Sequence, residues 1–246
     1  LLTQYQMFKV SMARLSEVQR KENEQQGAQE MQIDKFRHEI LFSEVSFKYE
    51  GSFSPNIFEG LSISFPANKM TAIVGNSGSG KTTLLKLIMG FYYPQKGKIT
   101  IDETPLNEID INSWRNCCGV VLQDGKIFSG TITENITLGS EIIDEKKIET
   151  VSKLACIDEF IQKQPGKYNM KIGSTGIELS QGQKQRILIA RALYKDPQLL
   201  IFDEATSSLD TVNERRIMDN LKYYFMGRTV IVVAHRLSTV VNADNI

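Results

Sequence analysis

Residues Gly75-Asn76-Ser77-Gly78-Ser79-Gly80-Lys81-Thr82 fill every fixed position of the pattern G-x-x-x-x-G-K-[ST]. The apolar run Met70–Val74 leads into them, and the helix-forming stretch Lys81–Met89 follows, with Gly90 as a stop. No other feature limits the fold so much, because strand, glycine loop and helix in that order form one unit of a parallel α/β sheet. Glycines at 75, 78 and 80 let the backbone curl until successive N–H groups point inward. The positive end of the helix dipole faces the same point. Such a cradle takes phosphate. The loop residues Gly75, Asn76, Ser77, Gly78, Ser79 and Gly80 would surround it, with Thr82 and Thr83 opening the helix. Lys81 would reach the β- and γ-phosphates, and the Thr82 hydroxyl would ligate Mg²⁺.

The rest of the chain agrees with an α/β reading. Strands are expected at Ile40–Tyr49, Leu61–Phe65, Met70–Val74, Gly97–Ile101, Gly119–Leu122, Leu199–Phe202 and Thr229–Ala234, and helices at Gln181–Tyr194 and Val212–Met226. The pattern from Thr131 to Tyr194 is mostly helical and reads as a subdomain inserted between sheet strands. Lys and Arg total 29, as do Asp and Glu, so no basic surface points to nucleic acid. Cys117, Cys118 and Cys156 lack metal-ligand spacing and read as reduced structural thiols. The longest apolar runs are about six residues, whereas a membrane-spanning helix needs about 20. Leu1, Tyr5, Phe8, Met12 and Leu15 alternate at spacings of four and three, a helical stripe with no capping residue before it. A polar stretch from Val18 to Gln32 then reads as a linker. At the other end, Val240–Ile246 stops where a further strand is expected.

Two more motifs carry chemistry. Leu199-Leu200-Ile201-Phe202 runs into Asp203-Glu204. A carboxylate at the end of a buried strand emerges at the carboxyl edge of the sheet, where nucleotide sites of open α/β folds form. Asp203 would hold Mg²⁺ through its water shell, and Glu204 would orient and deprotonate an attacking water. The second motif is Ser180-Gln181-Gly182-Gln183, which fits the S-x-x-Q capping box ahead of a helix. A helix start with a free hydroxyl and an unhindered Gly182 N–H is also an anion site. Capping and anion binding are compatible.

Together these motifs resemble ABC ATPases over about Ile40 to Ile246. The implied fold is a P-loop NTPase: a RecA-like, mostly parallel sheet, an antiparallel β subdomain, and a helical subdomain at about 124–192. The resemblance gives further residues roles. Gln123 matches the glutamine that touches Mg²⁺ and faces the transport subunit. Asp210, in Ser207-Ser208-Leu209-Asp210, falls in the D-loop, and His235 matches the switch histidine. Tyr49 sits where the family stacks an aromatic on adenine, although by its residue type alone a core role fits equally well. Ser180, Gly182 and Gln183 belong to the signature that contacts ATP held by a partner subunit, which implies a dimer of two such domains. Gln181 departs from the family's usual Gly-Gly, while Gly182 is kept.

The spacing also separates branches of the family. Only 56 residues lie between Gln123 and Ser180, too few for the coiled coil of repair-type members. One cassette is present where translation-associated members carry two, and importer subunits lack the helical lead. The segment Phe8–Leu15 is similar to the exit helix of exporters, which fuse this domain behind their membrane part. On that resemblance 1–32 is the exit segment and linker, and 33–246 is the ATPase domain on the cytoplasmic face of the membrane. Its partners would be a second, identical domain, a transmembrane domain of the same polypeptide and an exported substrate. The run Gly119–Ile132 is similar to peptide and bacteriocin exporters of the peptidase-containing type. Gly173-Ser174-Thr175-Gly176 lacks the Glu that exporters often place there. The alternative function is a soluble, non-transport ATPase or an ATP-gated dimerisation module.

Overall fold

The computed structural model describes residues 8, 9, 12, 16, 31–51, 54–174, 176–203, 211–234 and 240–246. Residues 1–31 and 32–246 form two compact units. In the first, Phe8, Lys9, Met12 and Ser16 are helical, which matches the helical stripe in that segment.

The second unit is built on two sheets. One is parallel, with strand order β3 (Met70–Ile73), β10 (Thr229–Val233), β9 (Leu199–Asp203), β6 (Cys118–Val121). Every residue of β9 and β10 is buried, as in a sheet covered on both faces, so these strands read as unbroken apolar runs. Their side chains divide by parity. Leu199, Ile201, Ile231 and Val233 enter one core, and Leu200, Phe202, Val230 and Val232 the other.

The first core lies under an antiparallel sheet of β1 (Glu39–Phe47), β2 (Phe58–Pro66), β4 (Lys96–Ile101) and β5 (Thr104–Pro105), ordered β2-β1-β4-β5. Between the sheets runs α1 (Lys81–Ile88), which buries Leu84, Leu85, Leu87 and Ile88. A short helix, α2 (Ile111–Asn116), is capped by Asp110 and carries Trp114, which is wholly buried and donates its indole N–H to Ile88 O at 2.8 Å.

The second core is covered by α3 (Ile132–Thr137), α4 (Glu145–Leu154), α5 (Asp158–Gln162), α6 (Gln181–Tyr194) and α7 (Thr211–Phe225). The block after Thr131 is therefore helical as expected, with one exception. Gly130–Thr131 (β7) pairs antiparallel with Lys171–Ile172 (β8), a ribbon too short to leave a period-two signal in the sequence. Thr131 ends β7 and at once caps α3 in a capping box with Glu134. At the far end, Asn245 bridges Thr71 in parallel, on the free side of β3. The three cysteines are free. Burial pushes all three thiols above their usual pKa, most strongly at Cys118, and so keeps them protonated.

Candidate nucleotide site

The glycine loop leaves the carboxyl end of β3, and its residues 75–79 are exposed. Ser79 N–H donates to Asn76 O at 3.2 Å and closes the turn. Gly78 and Gly80 have φ of 80° and 95°, a left-handed backbone open to glycine at little strain. A Cβ at Gly80 would meet Ile57 Cγ2 at 2.8 Å and the Phe58 ring at 3.0 Å, while nothing lies within 4 Å of Gly78. The loop is thus packed at its base and open at its crest. Lys81 is drawn over it, donating to Gly75 O and Asn76 O, both at 2.8 Å. Helix α1 has neither a side-chain N-cap nor an acidic residue in its first turn, so its leading N–H groups face an incoming anion.

The next two side chains of α1 reach distant elements. Thr82 Oγ1 donates to Asp203 Oδ2 at 2.9 Å, across 121 residues of sequence. Asp203 is buried at the end of β9. A carboxylate beside a hydroxyl suits a hard cation that keeps several waters and takes its remaining oxygens from phosphate, which is the habit of Mg²⁺. The residues present therefore fit a triphosphate and its Mg²⁺. Thr83 Oγ1 and Tyr49 Oη share a hydrogen bond at 3.0 Å. Tyr49 lies two residues past the end of β1, so it leaves the strand earlier than its sequence pattern suggested. It is half-buried beside the loop helix and packs against the margin of the first core.

Gln123 follows β6 at the opposite edge of the parallel sheet and is exposed. It lines a cavity of about 610 Å³ together with Gly173, Glu178, Gln181 and Lys184. Ser180 caps α6 with both arms of the expected capping box. Its Oγ accepts from Gln183 N at 3.3 Å, and Gln183 Oε1 accepts from Ser180 N at 2.9 Å.

The glycine loop and this helix start do not meet within one chain. A Cβ built at Gly119, early in β6, would sit 2.7 Å from Ala192 O, whereas one at Gly125, beyond β6, would sit 2.6 Å from Leu188 Cδ1. Helix α6 therefore runs antiparallel to β6, and its N-terminus projects past the carboxyl edge of the sheet. Strands β3 and β6 are three neighbours apart, about 14 Å at usual strand spacing.

The family described as ABC transporter matches residues 58–207. The chain belongs to that family. An uncharacterized ABC transporter ATP-binding protein of Sinorhizobium fredii is 46% identical over 208 residues, covering 85% of this chain and 35% of its own length. The alpha-hemolysin translocation ATP-binding protein HlyB of Escherichia coli is 41% identical over 242 residues, 98% of this chain and 34% of that protein. A solved structure, a bacterial Atm1-family ABC exporter with ATP bound, superposes with a TM-score of 0.87 at 35% identity, over 97% of this chain and 42% of that one. The chain thus spans about a third of the length of the curated relatives it matches. It is an ABC transporter ATP-binding domain of the exporter type.

Three of the sequence-predicted site residues of this ABC domain, Glu204, Asp210 and His235, lie outside the described residues. The structure brings Tyr49, the loop, Lys81, Thr82, Thr83 and Asp203 together. It sets Gln123 just past the end of β6, the strand paired with β9 and its Asp203, and Ser180, Gly182 and Gln183 at the start of another helix. Sequence reasoning missed a brace on the segment 126–131, a few residues after Gln123. Asn135, only 1% exposed, accepts from Phe128 N at 2.9 Å and donates to Phe128 O at 2.9 Å and Thr131 O at 3.0 Å. Arg191 donates to Asn135 O at 2.7 Å, Asn135 Oδ1 at 2.9 Å and Lys126 O at 2.9 Å. The only signal was an amide among the apolar positions of a short helix.

Proposed function

We propose that this chain binds and hydrolyses MgATP, dimerises head-to-tail around two nucleotides, and drives export across a membrane by a transmembrane part of the same polypeptide. The observation that carries the reading is the Thr82–Asp203 contact, which joins the helix of the phosphate loop to the buried carboxylate that ends β9, with Glu204 next in sequence. Mg²⁺, held by Thr82, Asp203 and Gln123, would neutralise charge on the phosphate oxygens. Lys81 and the loop N–H groups orient the triphosphate, and the Tyr49 ring carries the base. Glu204, next along the chain from Asp203, accepts the proton of the attacking water, and His235 acts beside it. The wide separation of the glycine loop from Ser180 and Gly182 supports a shared site, in which the α6 N-terminus of one chain meets the triphosphate held by the other, with Asp210 at the contact.

Residues 1–32 are read as the exit segment and linker from the membrane part, with the ATPase domain from 33 onward on the cytoplasmic face. The similarity to HlyB, named as a translocation protein for alpha-hemolysin, favours a peptide or protein substrate; the partner domain is taken to be an identical chain.

Mixing two inactive variants tests the shared site. Lys81→Ala removes the loop contact, and Ser180→Arg fills the place of the docking phosphate. In a mixed dimer one composite site carries both lesions and the other carries neither. Random pairing puts half the chains in such dimers, so up to roughly a quarter of parent hydrolysis returns if sites fire independently. Co-purified mixed dimers that recover no activity in MgATP would mean either that sites are not shared or that one intact site cannot fire alone, and recovery in a mixture of Lys81→Ala with itself would refute the sharing.

A further inference from the structure

The tyrosine proposed to carry the base is held by a segment that the nucleotide motifs do not include. Helix α1 ends in a Schellman motif: Phe91 N–H donates to Lys86 O at 3.0 Å and Gly90 N–H to Leu87 O at 3.1 Å, with Gly90 at φ 66°. Arg115 fastens this turn. It donates to Met89 O and Gly90 O, each at 3.1 Å, and lies 4.6 Å over the Phe91 ring. The chain is thereby turned back toward the end of β1.

There it makes two sets of contacts. The Gln95 side-chain amide accepts from Lys48 N at 2.9 Å and donates to Lys48 O at 3.0 Å, and Gln95 N–H donates to Ser46 O at 3.0 Å. Lys48 is the residue between Phe47 and Tyr49. The Tyr92 ring then stands against both neighbours. Its centroid is 5.1 Å from that of Tyr49 at an interplanar angle of 86°, and 5.7 Å from that of Phe47. Phe47 meets Tyr49 at 5.2 Å and 81°. Two near-perpendicular rings and the hydroxyl bond to Thr83 fix both the tilt and the reach of Tyr49.

We infer that Tyr92 is a positioning residue for base recognition: it sets the Tyr49 ring at the angle needed to stack on a nucleobase and touches no part of the triphosphate itself. The inference rests on the proposed role of Tyr49. Stacking energy depends on presenting a ring face, and a ring free to rotate spends only part of its time in that pose. Tyr92 is 40% exposed, so its replacement removes a brace more than a core side chain. An edge-to-face pair accounts for roughly a two- to tenfold difference in population.

The test compares two ligands in the full-length protein: MgATP and inorganic tripolyphosphate, which has the phosphates and no base. Tyr92→Ala and Tyr92→Leu should each weaken MgATP by roughly two- to tenfold. They should leave tripolyphosphate affinity unchanged, raise KM for ATP with little change in kcat, and leave Tm near the parent value. Tyr92→Phe, which keeps the ring, should restore parent behaviour. Tyr49→Ala is the control for the underlying reading, and it should lose ATP affinity selectively and more severely. If Tyr49→Ala weakens both ligands equally, the base platform itself is wrong, and the inference falls with it. If Tyr49→Ala is base-selective while the Tyr92 variants bind MgATP like the parent, or lose both ligands together, Tyr92 does not position the ring and the inference alone is overturned.

Discussion

Ser180 offers a way to separate capping from catalysis at one atom. Its Oγ receives Gln183 N–H at 3.3 Å, long for such a bond, and the residue is exposed. Loss of this cap in Ser180→Ala should therefore cost about 0.5–1 kcal/mol, the lower part of the range for N-caps. In a chain of this size that shifts Tm down by about 1–4 °C. If capping were the whole role of the hydroxyl, the folded protein would hydrolyse ATP at the parent rate. If the hydroxyl also donates to a phosphate of the partner's nucleotide, the charged bond lost is about 1.5–3 kcal/mol, or roughly 10- to 100-fold in rate.

Ser180→Asp makes the contrast sharper. Aspartate is as good a cap as serine, and its charge favours a helix N-terminus by about 0.3–1 kcal/mol, so Tm should stay level or rise. The same carboxylate stands where an anion is meant to dock, so hydrolysis should nearly vanish. Calorimetry and steady-state hydrolysis at saturating MgATP read the two effects separately. A Ser180→Asp protein that is stable and hydrolyses within twofold of the parent would refute anion docking at this helix start.

Two further outcomes follow from the packing. Asn135→Ala strands the N–H and C=O of Phe128 and one donor of Arg191, and should lower stability by about 2–3 kcal/mol, read as a lower denaturant midpoint at unchanged slope. Burial alone would raise the pKa of Asp196, but the Arg228 guanidinium at 2.6 Å outweighs it and holds the carboxyl below its usual value. Because the folded-state pKa is depressed, the contribution of this pair is present above pH about 4 and fades as pH falls through the lower folded value. Asp196→Asn should remove that part of the acid dependence of Tm and leave the rest.

What was legible in the sequence was local. The glycine loop, the apolar strand ending in Asp203, and the two arms of the Ser180 capping box each lie within a few consecutive residues, so pattern and propensity suffice to find them. What stayed hidden joins residues far apart. Gln95 reaches Lys48 across 47 positions, and Arg191 reaches Asn135 across 56. A glutamine in a turn and an arginine on a helix carry no mark of their partners, because the bond depends on how β1, α1, α3 and α6 pack. Tyr49 shows the same limit: its pattern continues β1, but the bond to Thr83 and the ring of Tyr92 hold it beside α1 instead.

The first turn of α1 explains how a loop so exposed can still be well placed. Lys81, Thr82 and Thr83 are consecutive, and each reaches a different element: the loop carbonyls, the end of β9 and the tyrosine after β1. The proposed phosphate, metal and base contacts thus share one short helix. That helix is in turn fixed at its other end by Trp114 on Ile88 O and Arg115 on Met89 O and Gly90 O. Its buried face of Leu84, Leu85, Leu87 and Ile88 locks it between the two sheets. The order of the loop therefore comes from the helix behind it more than from bonds within the glycines. The signature helix shares none of these anchors, since α6 packs on the opposite face and the opposite edge of the parallel sheet. In the proposed dimer the glycine loop of one chain and the α6 N-terminus of the other would meet at the nucleotide, and two separately folded chains joined there could part without either one unfolding.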